Sequence, residues 1–243
     1  MSYEFFPQVY DELMDVELYD EWADFAHQVL PKDKKTLLDL ASGTGEFAIR
    51  MHFQGYDVTG LDLSEEMVHV AEAKMNATNL PIPFLAENMT NFSFQKSFDV
   101  VTCFCDSLNY LETEKELDAT FERVYEHLNT DGAFLFDVHS VYKVDVGFQN
   151  YSYGDSDLSV STIWNSFPGE APHSVEHELT FFVENSDGSY FRKDELHKER
   201  TYPVATYEKK LIAAGFSKIS VYADFSLEKP DEKSERIFFL ARK

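Results

Sequence analysis

Cysteine, basic residues and long apolar runs are all scarce in this chain of 243 residues, and each scarcity removes a class of protein. The two cysteines, Cys103 and Cys105, stand two positions apart on a predicted central strand, where they share a face and cannot easily bridge. They are too few and wrongly spaced for a zinc centre, so no metal is expected, and they read as buried thiols in a reducing cytoplasm. Lys and Arg number 21 against 44 Asp and Glu, a net charge of −23, and the cations are scattered rather than gathered into a stripe. Long-range repulsion therefore disfavours a nucleic-acid partner. No apolar stretch approaches the ~18–20 residues of a membrane span, so no membrane partner is expected. Met1 to Phe5 carry no basic stretch leading into an apolar one, which argues against a secretory signal and for a cytoplasmic location. Internal repeats, low-complexity segments and long linkers are also missing. The length suits one domain with a modest insertion.

The most informative segment is Leu37-Leu38-Asp39-Leu40-Ala41-Ser42-Gly43-Thr44-Gly45-Glu46-Phe47. An apolar run breaks into Gly-x-Gly and resumes at helical spacing, which reads as strand, tight loop and helix. The glycines allow a sharp turn and close approach of a ligand, and the new helix offers free N–H groups there. A second apolar run, Tyr56 to Leu61, ends in Asp62, about 20 residues past the loop, where a carboxylate can accept hydrogen bonds from a ribose diol. Gly43-x-Gly45-x-x-Ala48 also satisfies a dinucleotide fingerprint, so an NAD(P)-dependent oxidoreductase or epimerase is a rival reading. Asp39 tells against it. A carboxylate in the last turn of a buried parallel strand is costly unless loop amides or a cationic ligand meet it, and it would repel a pyrophosphate.

Around these anchors strand and helix alternate. Apolar positions from Gln8 to Leu30 suit one or two leading helices, stopped by Pro31. Thr36–Leu40 precedes a helix from Glu46 to about Gln54, and Tyr56–Leu61 precedes one opened by Ser64. Phe84–Glu87 and Phe98–Cys105 follow. Thr113-x-x-Glu116 is a capping box for a helix running to about Leu128, and Asp131-Gly132 turns into Ala133–Val138. Between His139 and Pro203 helical periodicity gives way to three β runs: Leu158–Ser166, Val175–Glu184 and Ser189–Tyr202. Ser186-Asp187-Gly188 joins the last two. A helix over Tyr207–Ala214 and a hairpin of Lys218–Phe225 with Arg236–Ala241 complete the chain. The expected fold class is α/β: a doubly wound, mostly parallel sheet with a C-terminal antiparallel hairpin, plus a small inserted antiparallel β-subdomain. Residues 1–138 with 204–243 form the main domain and 139–203 the insertion. The insertion emerges at the carboxyl edge of the sheet, where ligands bind, and reads as a substrate cover; its rival role is a homodimer interface.

Asp39-x-Ala41-x-Gly43-x-Gly45 resembles the first motif of class I S-adenosylmethionine-dependent methyltransferases, with Ala41 where many members have glycine. The resemblance continues with Asp62, with Ala86-Glu87-Asn88-Met89, and with Phe98-Asp99-Val100-Val101 through Asp106-Ser107-Leu108-Asn109-Tyr110. It is similar above all to small-molecule enzymes with an inserted β-subdomain, such as sugar N,N-dimethyltransferases, and it spans nearly the whole chain. It implies a Rossmann-like fold, S-adenosyl-L-methionine as cofactor, and methyl transfer to N or O of a small molecule. By the same resemblance Ala41, Ser42, Gly43 and Gly45 wrap the methionine end and ribose, with Asp39 acting on the ammonium through the loop or water. Asp62 takes the ribose hydroxyls, Leu63 packs on adenine, Asn88 meets its amino group and Met89 lies beside it. Tyr10, in Tyr10-Asp11-x-Leu13-Met14, matches an N-terminal tyrosine that touches the cofactor. Cys105 and Asp106 end the fourth strand near the methyl group, and Asn109 and Tyr110 are placed to orient substrate. His139, ending the fifth strand, is the best-placed base; His197 on the last inserted strand is weaker, because surface histidines are common. The fourth-strand loop lacks the Asn/Asp-Pro-Pro-Tyr pattern of nucleic-acid amino methylation. A non-catalytic cofactor-binding protein and an RNA or protein methyltransferase remain as alternatives.

Overall fold

The computed structural model describes residues 10–11, 13–156, 160–185 and 187–243. Met1–Phe5, Gln8, Leu158 and Ser186, on which some of the expectations fell, lie outside the described residues. The main sheet has seven strands: β1 Thr36–Leu40, β2 Asp57–Asp62, β3 Phe84–Ala86, β4 Phe98–Cys103, β5 Leu128–His139, β10 Lys218–Ala223 and β11 Arg236–Arg242. Their order is β10-β11-β5-β4-β1-β2-β3. The β1–β2, β2–β3, β1–β4 and β4–β5 pairs are parallel, and β11 runs antiparallel between β5 and β10. The chain therefore reverses its direction of travel across the sheet between β1 and β4, and at such a switch point the carboxyl ends of parallel strands leave a crevice.

Each strand residue is read by one face or the other. Leu37, Val58 and Val100 join Trp22, Phe25, Phe47 and Met51 in one core, whereas Leu38, Leu40 and Val101 join Phe121, Phe134, Phe136 and Tyr207 in the other. Helices α1 Val16–Val29, α2 Glu46–Phe53 and α3 Glu65–Thr78 cover the first face, and α4 Glu114–His127 and α5 Val204–Ala214 the second. Their starts follow local chemistry. Asp15 accepts from the Glu17 N–H, Ser64 from Met67, and Thr113 and Glu116 make the reciprocal capping box.

Two expectations need correction in the segment after β5. Four inserted strands are present rather than three: β6 Ser152–Asp155, β7 Val160–Pro168, β8 Ser174–Glu184 and β9 Tyr190–Arg200, paired antiparallel in that order. β6 has four residues and no apolar alternation, so the sequence gives no period to read. A π-helical turn over Lys143–Gly147 precedes it, also without a sequence signal.

Gly60 shows why the glycine count is low but placed. A Cβ there would lie 2.3 Å from the Phe84 ring and 2.9 Å from Ser42 Oγ, the side chain under the loop. Gly60→Ala is expected to destabilise the protein by roughly 1–3 kcal/mol through overpacking. A thermal melt should show a fall of several degrees, at about 2–4 °C per kcal/mol for a chain of this size.

Candidate active site

The loop after β1 turns on three left-handed residues, Ala41 (φ 53°), Gly43 (φ 52°) and Gly45 (φ 86°). Gly45 is the N-cap of α2, so the free amides of that helix point at the crevice. Ala41 adopts, with a Cβ, a conformation that suits glycine, at a cost of about 1–2 kcal/mol held in the loop. The carboxylate of Asp62 ties the loop to the next strand: Oδ2 accepts from the Gly43 N–H (2.8 Å) and Oδ1 from Ser64 (2.9 Å). Burial raises its pKa against those amides. With Leu63 a third amide beside it, the carboxylate still has lone-pair capacity for a ligand hydroxyl. Leu63 beside it is 58% exposed, an apolar surface left open at the rim.

Asp39 lies below the loop, 2% exposed. Its Oδ1 accepts from the Thr102 hydroxyl at 2.9 Å, while Oδ2 is buried with no hydrogen-bond partner. Burial first, and the charge of Asp62 second, push its pKa up to about 7. A buried carboxylate left half-satisfied beneath the loop suits a ligand bearing a cationic group. Over the loop lie Tyr10 and Asp11. The Tyr10 hydroxyl is 3.7 Å from Cys105 Sγ, and Asp11 accepts from the Thr44 hydroxyl at 2.5 Å and pairs with Lys74 at 2.6 Å. The structure thus brings Tyr10, Asp39, Ala41, Ser42, Gly43, Gly45, Asp62, Leu63 and Cys105 around one crevice.

Asn88 and Met89 fit their expected places less closely. Asn88 Oδ1 accepts from both the backbone N–H and the hydroxyl of Thr90, leaving only its NH2 group for a ligand. Met89 packs against the core.

Past β4 two consecutive residues are left-handed, Cys105 (φ 57°) and Asp106 (φ 49°), strain of the kind that gathers at functional sites. Asp106 is held by Arg236, which donates to its Oδ1 at 3.0 Å and also bonds Asp137 Oδ2. Asp137, wholly buried in β5, takes the Trp22 indole N–H (3.2 Å) and the Asp106 N–H (3.1 Å). Burial works against the charge on Asp106, and neighbouring His139 and Arg236 overcome it and lower its pKa.

Facing this edge is the inner side of the four-stranded sheet, where β9 points Glu195, His197 and Glu199 inward, all three buried. His139 Nε2 lies 3.5 Å from Asp106 Oδ2 and 3.7 Å from Glu199 Oε2. Burial lowers the His139 pKa to about 4. The Tyr110 hydroxyl meets His197 Nδ1 at 3.1 Å, and His197 Nε2 meets Glu195 at 3.2 Å. His197 is therefore no surface histidine; it is 5% exposed. Asn109, expected to touch substrate, has both ends of its amide engaged by backbone. Its Oδ1 accepts from the His139 N–H (2.9 Å) and its Nδ2 donates to the Arg200 carbonyl (2.9 Å). It fastens the turn after β4 to the ends of β5 and β9. Asp137, Arg236, His177, Glu195 and Glu199 were not anticipated; the one signal was the alternation Glu195-x-His197-x-Glu199.

A seven-stranded sheet of this order, a glycine loop leading into α2 and an acid ending β2 define the class I methyltransferase architecture. Comparison with known proteins agrees. The family described as "Methyltransferase domain" matches residues 37–132. A protein of Geobacillus sp. (strain WCH70), provisionally named a methyltransferase, is 48% identical over the whole of both chains. An S-adenosylmethionine-dependent methyltransferase from Clostridium acetobutylicum ATCC 824 superposes with a TM-score of 0.86 at 30% identity, covering 99% of this chain and 98% of that one. At 27% identity, over 83% of this chain and 78% of the other, stands a dTDP-3-amino-3,6-dideoxy-alpha-D-glucopyranose N,N-dimethyltransferase of Streptomyces fradiae. The chain belongs to the class I S-adenosylmethionine-dependent methyltransferases, and S-adenosylmethionine is its cofactor. The orphaned Asp39 oxygen and the open amides of α2 fit that ligand.

Proposed function

We propose that this enzyme transfers the methyl group to a nitrogen or oxygen of a small molecule held between the carboxyl edge of the main sheet and the inner face of the four-stranded sheet. The observation that carries this reading is the polar surface made by buried His139, His197 and Glu199 with partly exposed Asp106 and Tyr110 where the two sheets meet. When bound, the cofactor supplies a methyl on a sulfonium, which an in-line nucleophile displaces. The chain's task is then to orient the acceptor and to exclude water. In this reading residues 139–203 are the cover, with Trp164 as an apolar wall, and residues 1–138 and 204–243 hold the cofactor. The outer face of the cover supports that role over a dimer interface, because exposed Ile163, Phe167 and Leu196 are interspersed with Glu176, Glu178, Asp194 and Lys198. The charge of −23 supports a small acceptor over a nucleic acid. Among the described residues no helix is long and apolar enough to cross a membrane.

Around the cofactor, Asp62 carries the ribose, Asp39 the ammonium, and Leu63 the adenine. Asp62→Ala is expected to weaken S-adenosylhomocysteine by roughly 1–3 kcal/mol, read by calorimetry. At the acceptor side His139→Gln should leave that affinity within about threefold and reduce transfer at least a hundredfold.

The test of the function is a calorimetric titration with S-adenosylhomocysteine, with NADH as the counter-ligand, followed by a turnover screen of amines, amino sugars and phenols against RNA. Transfer to RNA and to none of the small molecules would overturn the reading.

A further inference from the structure

Where the two sheets meet, three ligand-type atoms surround one point. Asp106 Oδ2, His139 Nε2 and Glu199 Oε2 all lie within 4.8 Å of one another, and the group is buried apart from partly exposed Asp106. The spacings from His139, 3.5 and 3.7 Å, are too long for good hydrogen bonds. They are close to what two ligands of one ion keep: at about 2.1 Å from a metal, neighbouring ligands stand about 3.0–3.5 Å apart. Glu199 Oε2 is moreover buried with no hydrogen-bond partner, in a residue 5% exposed. Burial raises the Glu199 pKa, and a cation at this point would favour its ionised form.

The surroundings hold the three groups in this arrangement. Arg236 occupies the other oxygen of Asp106 (3.0 Å), leaving Oδ2 to face inward. His177 lies beside the other oxygen of Glu199, with Nε2 3.6 Å from Oε1. The tautomer of His177 follows from its partners. The Trp164 indole N–H, which can only donate, points at His177 Nδ1 at 3.0 Å, so the neutral ring carries its proton on Nε2, toward Glu199. At 3.6 Å that N–H makes no hydrogen bond to Glu199, and His177 Nε2 is buried without a partner. A cavity of about 180 Å3, lined by His139, Lys143, Asp224, Phe225, Glu235 and Arg236, lies beside His139 on the side of β11.

We propose that Asp106, His139 and Glu199 bind one divalent first-row cation, Zn2+ or Mn2+, since an imidazole with two carboxylates suits these better than Mg2+ or Ca2+. Three protein ligands leave coordination positions open toward the acceptor, where the cation would orient an oxygen of the small molecule and lower its pKa. That role rests on the methyl-transfer reading above; the binding itself does not.

The experiment uses full-length, untagged protein stripped with a chelator and first shown to bind S-adenosylhomocysteine. Calorimetric titration with Zn2+ and, separately, Mn2+ is expected to show one equivalent per chain for at least one of them, and Mg2+ is expected to bind at least tenfold more weakly. Glu199→Gln and His139→Gln should each weaken the binding at least tenfold while keeping S-adenosylhomocysteine affinity, the proof that they fold. His69→Ala, on the exposed side of α3, should change nothing. Co2+ provides an independent readout: a visible absorption band in the wild-type protein that both variants lose. Failure of the wild-type protein to bind Zn2+ or Mn2+ below about 100 µM overturns the site, as does undiminished binding in Glu199→Gln, which would mean adventitious uptake by the acidic surface. Failure of the cofactor reading is a separate outcome, seen in the S-adenosylhomocysteine titration that comes first.

Discussion

Arg236→Met is expected to cost about 3–5 kcal/mol of stability, and the melting temperature should fall by on the order of 10 °C. Arg236 is the counter-charge for both Asp106 and Asp137, and its guanidinium lies 5.3 Å over the Trp22 ring. Methionine fills much of the same volume but leaves Asp137, wholly buried, with only the Trp22 and Asp106 N–H groups. The cost is the desolvation of a carboxylate stripped of its partner rather than a loss of surface attraction. This can be separated from lost packing by a double-mutant cycle. Asp137→Asn in the Arg236→Met background should recover a large part of the loss, because the uncompensated charge is gone. A melt of Arg236→Met within 1 °C of the wild type would show that the guanidinium is not the counter-charge that holds this end of β5 and β11.

The same network marks the boundary of what the sequence discloses. The glycine loop, Asp39 and Asp62 are legible because their chemistry is local: a strand, a turn and the tip of the next strand lie within 25 residues, and each leaves a mark in the apolar pattern. The helix starts at Ser64 and Thr113 are legible for the same reason. Arg236 meets Asp137 and Asp106 across 99 and 130 residues, and no spacing rule connects them. β9 is harder still. Arg192-Lys193-Asp194-Glu195-Leu196-His197-Lys198-Glu199 is polar at almost every position, so period two gives no apolar face and the run reads as a solvated strand. Only its docking onto the carboxyl edge of the main sheet buries Glu195, His197 and Glu199. Asn109 illustrates the converse. A polar residue in the right loop looks like a substrate contact, yet the backbone of β5 and β9 takes both ends of its amide.

Asp39 yields the second large effect, and it is one of pH. In the ligand-free protein burial, then the charge of Asp62, raise its pKa to about 7, against the opposing Thr102 hydroxyl. A ligand that brings an ammonium to this carboxylate needs it ionised. Below pH 7 binding must first expel a proton, so affinity for S-adenosylhomocysteine is expected to rise about tenfold from pH 6 to pH 8 and then level off. Asp39→Asn should flatten that profile and hold it at or below the low-pH affinity of the wild type. The stability of the ligand-free protein moves the other way. The folded pKa lies above the unfolded value of about 3.9, so the contribution of Asp39 is fully present below about pH 4 and is lost as the pH rises through 7. The melting temperature of Asp39→Asn relative to the wild type should therefore increase from pH 5.5 to pH 7.5 without ligand, and that difference should shrink when S-adenosylhomocysteine is saturating. The loop is thus least comfortable when empty at the pH where it binds best, as expected of a carboxylate kept for a cation. If calorimetry from pH 6 to 8 gave one affinity for the wild type and the same affinity for Asp39→Asn, the carboxylate would be a support of the Thr102 hydroxyl alone, and the ammonium would have to be met elsewhere in the loop.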